Sequence, residues 1–131
     1  MEIKDSLNIS QIESFLYGII DGRVSQNTFV GTLPSNMDAT WSDMVLIDCD
    51  GALMDYDAYG VGIVRIGLYA KPLTSGSKNV SVLSRMESTL NDIIRNNDNK
   101  TYKINRKSAY ADYDNDRNWH YNVINLTIKI Y

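Results

Sequence analysis

Acidic side chains crowd the segment Val45-Leu46-Ile47-Asp48-Cys49-Asp50-Gly51-Ala52-Leu53-Met54-Asp55, and Asp57 follows two residues later. Four carboxylates so close together invite a calcium reading. A loop of the EF-hand type starting at Asp48 needs Gly at its sixth position and Glu at its twelfth. Those positions hold Leu53 and Tyr59, so the expectation is a solvated acidic loop without a metal. Gly76-Ser77-Lys78 stands between a strand pattern and a helix pattern, where a phosphate loop would lie. Lys71 occupies the place of the upstream Gly, and Asn79 that of the Ser/Thr which would reach magnesium, so an ordinary flexible loop is expected. Asp112, Asp114 and Asp116 alternate near Arg106, Lys107 and Arg117, a pattern that suits the solvated tip of a hairpin. His120 lies between Trp119 and Tyr121, with no Ser or Cys placed by sequence to make it a catalytic base.

Asp48-Cys49-Asp50-Gly51, after an apolar strand, resembles the first motif of haloacid-dehalogenase-type phosphatases. That resemblance implies Asp48 as nucleophile, Asp50 as acid/base and magnesium in the site, because a carboxylate nucleophile needs a cation to approach a phosphate. The chain departs from the pattern. The family's Thr is Ala52, the motif follows 47 residues, and the next element reads as a strand with no crossover helix. The expectation is a strand leaving the core through an Asp50-Gly51 turn, with no phosphatase activity; the enzyme reading is kept as the lesser alternative.

Composition supports a single domain over residues 1–131. The chain is 44% apolar and 22% charged, enough to bury a core without disulfides. One Cys excludes a disulfide framework, and one His makes a His-rich metal site implausible, so no cofactor is expected. A net charge of −3 argues against a general nucleic-acid-binding surface. No apolar run approaches the ~20 residues of a membrane span, and residues 1–10 lack a signal peptide's apolar stretch, which predicts the cytoplasm. Thirteen Asp against three Glu, with thirteen Asn, favour turns and caps over helix interiors. Nine Tyr and fourteen Ile favour strands.

The elements follow from periodicity. Ile9, Ile12, Phe15, Leu16, Ile19 and Ile20 share one helical face over 8–21, with Asn8 as cap, Leu7 as staple and Gly22 as stop. Strands are expected over 27–34, over 41–49 (apolar on both faces from Met44 to Ile47) and over 59–71. Gly60, Gly62 and Gly67 in the third imply a bulge or a close backbone contact. An exposed loop covers 72–79. A second helix covers 80–96, with Val80, Leu83, Met86, Leu90, Ile93 and Ile94 buried. Strands over 101–114 and 117–131 enclose Asn115-Asp116, and the last alternates Ile124, Leu126, Ile128 and Ile130 with polar residues. The expected fold class is α+β: a mostly antiparallel sheet of about five strands with two helices packed on it, in the order α-β-β-β-α-β-β.

This order, with segments such as GLYAKPL and ADYDNDRNWHYNV, resembles the tail-terminator or tail-completion proteins of long-tailed bacteriophages, in their prophage-borne form. The resemblance covers nearly the whole chain. It implies a non-enzymatic structural protein that self-associates into a hexameric ring, stops tail-tube growth and meets the head connector, in the host cytoplasm during assembly and then in the virion tail. Partners would be the tail tube and head-connector proteins, with neither a membrane nor a specific nucleic acid. The other alternative is a small soluble binding or adaptor domain. Tyr56, Tyr59, Tyr110, Tyr113, Trp119 and Tyr121 are expected to be exposed around loops and a projecting hairpin, where aromatics anchor interfaces. The candidate interface is Tyr110, Tyr113, Asp114, Asp116, Arg117, Trp119 and Tyr121, and the loop 72–79 is also expected to contact partners. The acidic loop 48–57 could line the ring and let DNA pass without sticking.

Overall fold

The computed structural model describes residues 8–49, 53–56, 59–98 and 102–131. Leu7, Asp50, Gly51, Ala52 and Asp57, on which parts of the sequence reading rest, lie outside the described residues. The elements run α1 (Ile9–Ile20), β1 (Thr28–Val30), β2 (Asp43–Asp48), β3 (Leu53–Asp55), β4 (Gly60–Ala70), α2 (Val80–Asn96), β5 (Tyr102–Asp114) and β6 (Trp119–Ile130). The α+β order expected from periodicity is the order found, with the three-residue β3 added before β4.

Both helices start where a side chain can satisfy an orphan N–H. Asn8 Oδ1 accepts from Gln11 N at 2.8 Å, and Asn79 Oδ1 accepts from Val82 N at 3.2 Å. After α1 the chain reverses at Gly22, whose φ of 77° lies in the left-handed region that Gly occupies without strain.

The sheet order is β1-β2-β4-β6-β5, with β3 paired to the first part of β4. All pairings are antiparallel except β1 with β2. The mostly antiparallel sheet expected is the one found, but the link from β1 to β2 is not a short antiparallel connection. Instead, β1 ends at Val30 and the segment 31–42 makes the crossover that a parallel neighbour requires. The one register shift is in β5, between Arg106 and Ser108, where Lys107 is the extra residue. The glycines of β4 do not make that bulge.

Period-2 alternation sorts the sheet into two faces. Val45 and Ile47 of β2, Val64, Ile66, Leu68 and Ala70 of β4, and Ile124, Leu126, Ile128 and Ile130 of β6 form the main core. Ile12, Leu16 and Ile20 of α1 and Leu83, Met86, Leu90, Ile93 and Ile94 of α2 cover it. Two end residues of the expected helical stripes, Ile9 and Val80, are exposed, each being the first residue of its helix. A polar knot fastens the layers. Asp43, at the start of β2, is buried and accepts hydrogen bonds from the Ser25 hydroxyl and from the Arg85 guanidinium of α2 at 2.9 Å. Asn27 Nδ2 donates to the Asp43 carbonyl at 3.0 Å.

The opposite face carries a smaller cluster: Leu33, Met44, Tyr69 and Trp119, with Phe29, Met37, Trp41, Leu46 and Tyr121 packed around them. The crossover 31–42 brings Leu33, Met37 and Trp41 onto that face, which explains why β2 is apolar on both sides. Leu90 is fully buried beneath α2. Leu90→Ala is expected to cost about 2–5 kcal/mol in a chemical melt. A variant that melts like the parent would overturn the packing of α2.

Candidate functional site

Three rows of side chains cross the open face from β2 to β5. The register places Asp48, Arg65, Asn125 and Ser108 in one row. The next holds Leu46, Gly67, Val123 and Tyr110, and the third Met44, Tyr69, Tyr121 and Asp112. Trp119 and Asp114 continue the pattern on β6 and β5. The first row is polar: Arg65 meets Asp48 at 3.5 Å, and Asn125 Nδ2 donates to Ser108 Oγ at 2.9 Å. The third is aromatic, because Tyr69 and Tyr121 stack with ring centroids 4.5 Å apart. Gly67 and Val123, the smaller members of the second row, leave a trough, a cavity of about 160 Å³ lined by all three rows.

Gly67 is what allows this. An ideal Cβ there would stand 2.8 Å from Tyr69 Cε1, closer than real Cβ atoms come, so the Tyr69 ring lies across the glycine. The close backbone contact expected of the glycine-rich strand is found at this position. Burial pushes the Tyr69 hydroxyl up to about 12, with Tyr121 and Asp114 adding to the shift and Arg117 opposing it. Burial also raises Tyr121, helped by Asp112, whose Oδ2 accepts from the Tyr121 hydroxyl at 3.3 Å.

The hairpin tip differs from the solvated one expected. Asp114 Oδ1 accepts from the backbone N–H groups of Asp116 and Arg117, which closes the turn. The Arg117 guanidinium folds back to Asp114 Oδ2 at 3.0 Å and donates to the Pro34 carbonyl at 2.9 Å. Asp114 and Arg117 are therefore largely buried and structural, tying the tip to the crossover, while Asp116 stays exposed. Asn118 completes the reversal at φ 60°, a conformation Asn tolerates.

Three further expectations about the hairpin need correction. Trp119 is 5% exposed and belongs to the smaller core cluster, because the crossover covers it. Tyr121 and Tyr59 are partly covered, Tyr121 by Tyr69 and Tyr59 by Tyr56 and Tyr131. The hairpin does not project, since β4 pairs with β6 from Gly60↔Ile130 to Ala70↔His120 and makes the ribbon part of the sheet.

Among the described residues, strand β5 is an outer margin of the sheet, with β6 as its one paired strand. From Asn105 to Tyr113 its residues are exposed. Tyr110 (46% exposed) stands on the open face, and Tyr113 (38%) on the other, where its ring meets His120 edge-on. Tyr56, also exposed, is remote from these residues in the sheet, beside β3.

The described part of the phosphatase-like motif sits in a different setting. Asp48 lies opposite Arg65 on β4, the next long strand, and β2 pairs antiparallel with it, so the parallel crossover the phosphatase motif needs does not follow. Lys78 Nζ donates to Asn122 Oδ1 at 3.1 Å, and Asn79 caps α2. Among the described residues, no three His, Cys, Asp or Glu side chains converge to hold a metal. No helix of the described residues is long and apolar enough to cross a membrane.

Two outcomes follow. Arg117→Ala should cost roughly 1–3 kcal/mol, because it removes charge-assisted hydrogen bonds to Asp114 and Pro34; unchanged stability in a denaturant melt would show that the tip is not pinned. Tyr69 holds its proton to about 12 in the fold, against 10.0 for the free side chain. Its contribution to stability is therefore complete below pH 10 and is lost as pH climbs from there through 12. Phenolate absorbance of the folded protein should retain a late-titrating tyrosine that Tyr69→Phe removes. No family model and no curated protein matches the chain.

Proposed function

We propose that the protein is a non-enzymatic structural subunit of a phage or prophage tail, a tail-terminator or completion protein that forms a ring at the head–tail junction. The observation that carries this reading is the β5 margin. A 13-residue edge strand with exposed tyrosines on both faces is a surface built for a protein neighbour. The pinned tip supports it, because a stiff edge loses little conformational freedom when a neighbour docks. The resemblance to terminators supplies the rest: a hexameric ring, the tail tube and head connector as partners, and a path from host cytoplasm to virion tail. The charge of −3 suits a ring through which DNA passes without being read. A small binding domain is the second reading, and the tyrosine-walled trough over Gly67 is what favours it.

The test is electron microscopy of the purified protein mixed with tail tubes, beside a Tyr110→Ser/Tyr113→Ser double variant. Capped tubes that the variant fails to cap, with its circular dichroism unchanged, are the expected result. Trp119 is unsuited to this test because it is buried. Tubes left uncapped by the parent protein, or capped equally by the variant, would remove the ring reading or its interface.

A further inference from the structure

The β5 margin is polar along its length. Lys103, Arg106 and Lys107 lie in its first half, and Asp112 and Asp114 in its second. Its sheet neighbour β6 occupies one side only, and no other strand of the described residues pairs with it. The middle of the strand is small: Ser108, Ala109 and Ala111 offer nothing to hold a second strand away. Arg106 is held by Glu87 and Asp114 by Arg117, while Lys103 has only an exposed contact to Asp98 at 3.9 Å, so Lys103 and Asp112 are the unlike charges that a copy laid antiparallel would bring together.

The geometry points to a second copy of this chain as the occupant of the β5 edge, in a two-fold dimer that joins two sheets into one. Laid antiparallel about Ser108, with the bulged Lys107 left out of the alternation, the strands match face to face. Lys103 then stands opposite Asp112 of the second copy, Asn105 opposite Tyr110 and Arg106 opposite Ala109. Each pair lies on one face, because the bulge that shifts β5 against β6 restores the parity. Two Lys103–Asp112 pairs follow from the two-fold axis, each a directly opposed pair of unlike charges. Without them the edge would have only its backbone groups to specify a partner.

This inference concerns the margin used in the proposed ring and rests on that reading of it as an assembly surface. It assigns the margin a state in the free subunit: the edge is covered by a copy until the tail displaces it. Such pairing protects an otherwise bare edge from promiscuous strand addition. It also makes ring formation conditional on a competitor that binds better than the copy does.

The experiment is a charge exchange read by light scattering across a dilution series of the full chain. The parent should weigh twice 14.8 kDa and fall towards the monomer on dilution. Lys103→Asp and Asp112→Lys should each shift that midpoint by about tenfold or more to higher concentration, and the double variant should regain the parent's midpoint. Raising the salt should weaken the parent dimer in the same sense. In parallel, Ser108→Cys should form an intermolecular disulfide under mild oxidation, because the axis sets the residue opposite itself. Asn105→Cys should not, since its copy lies beyond disulfide reach. A parent that is monomeric at every concentration, a double variant no better than the singles, or equal crosslinking at both positions would overturn the dimer. Tail capping is scored separately. Capping kept while the dimer is absent removes this inference alone, and a dimer without capping removes the ring.

Discussion

Every face assignment in this protein depends on the pairing of β4 with β6. Its register runs from Gly60↔Ile130 to Ala70↔His120 without a break. Two strands that alternate apolar residues in phase must send them the same way, so one register puts Val64, Ile66 and Leu68 beside Leu126, Ile124 and Asn122 in a single layer. A slip by one residue would send the isoleucines of β6 to the open face and take β6 out of the apolar layer that both helices cover. The bulge in β5 shows the same constraint from the other side. Beyond Lys107 the strand presents opposite parity, which is how Tyr110 comes to face the trough and Arg106 comes to face α2, where it meets Glu87 and Asn91.

The second face is made by exceptions to alternation. Gly67 removes a side chain where Tyr69 needs room, and the tyrosine then fills the space above its own strand. The crossover 31–42 contributes Leu33, Met37 and Trp41 because a parallel neighbour cannot be reached by a tight turn. The same crossover offers the Pro34 carbonyl to Arg117, so the far end of the sheet is held by a segment that comes early in the chain. Burial of Trp119 and stiffness of the tip are thus two results of one connection.

Much of this was legible in the residues. The two helices showed their stripes at a 3.6 period, and α2 lies over 80–96 as the pattern predicts. The two-sided burial of β2 followed from Met44-Val45-Leu46-Ile47, and the half-buried last strand from its isoleucines. What could not be read were facts of register. Nothing in a local window tells that Arg117 will find Pro34, or that Trp119 will sit under a loop some eighty residues upstream in sequence. The trough was missed for the same reason: Asp48, Arg65, Gly67 and Tyr121 are neighbours only across strands. Gly67, between apolar residues in a strand, was the one signal that pointed to it, since an interior glycine marks a close approach.

The central pairing has a consequence for how the chain comes to be folded. The partners in the β4–β6 ladder are between 50 residues apart, at Ala70↔His120, and 70 apart, at Gly60↔Ile130. The strand in the middle of the sheet therefore waits longest for one of its neighbours, while helices on either side of it in sequence can form at once. Ladders of such long range close slowly, because loop entropy is lost before contacts return it. During synthesis β4 must emerge, with its glycine-rich apolar run, well before β6 exists to cover it. Transient shielding by the helices, or by a cellular chaperone, is the kinetic requirement that this topology imposes.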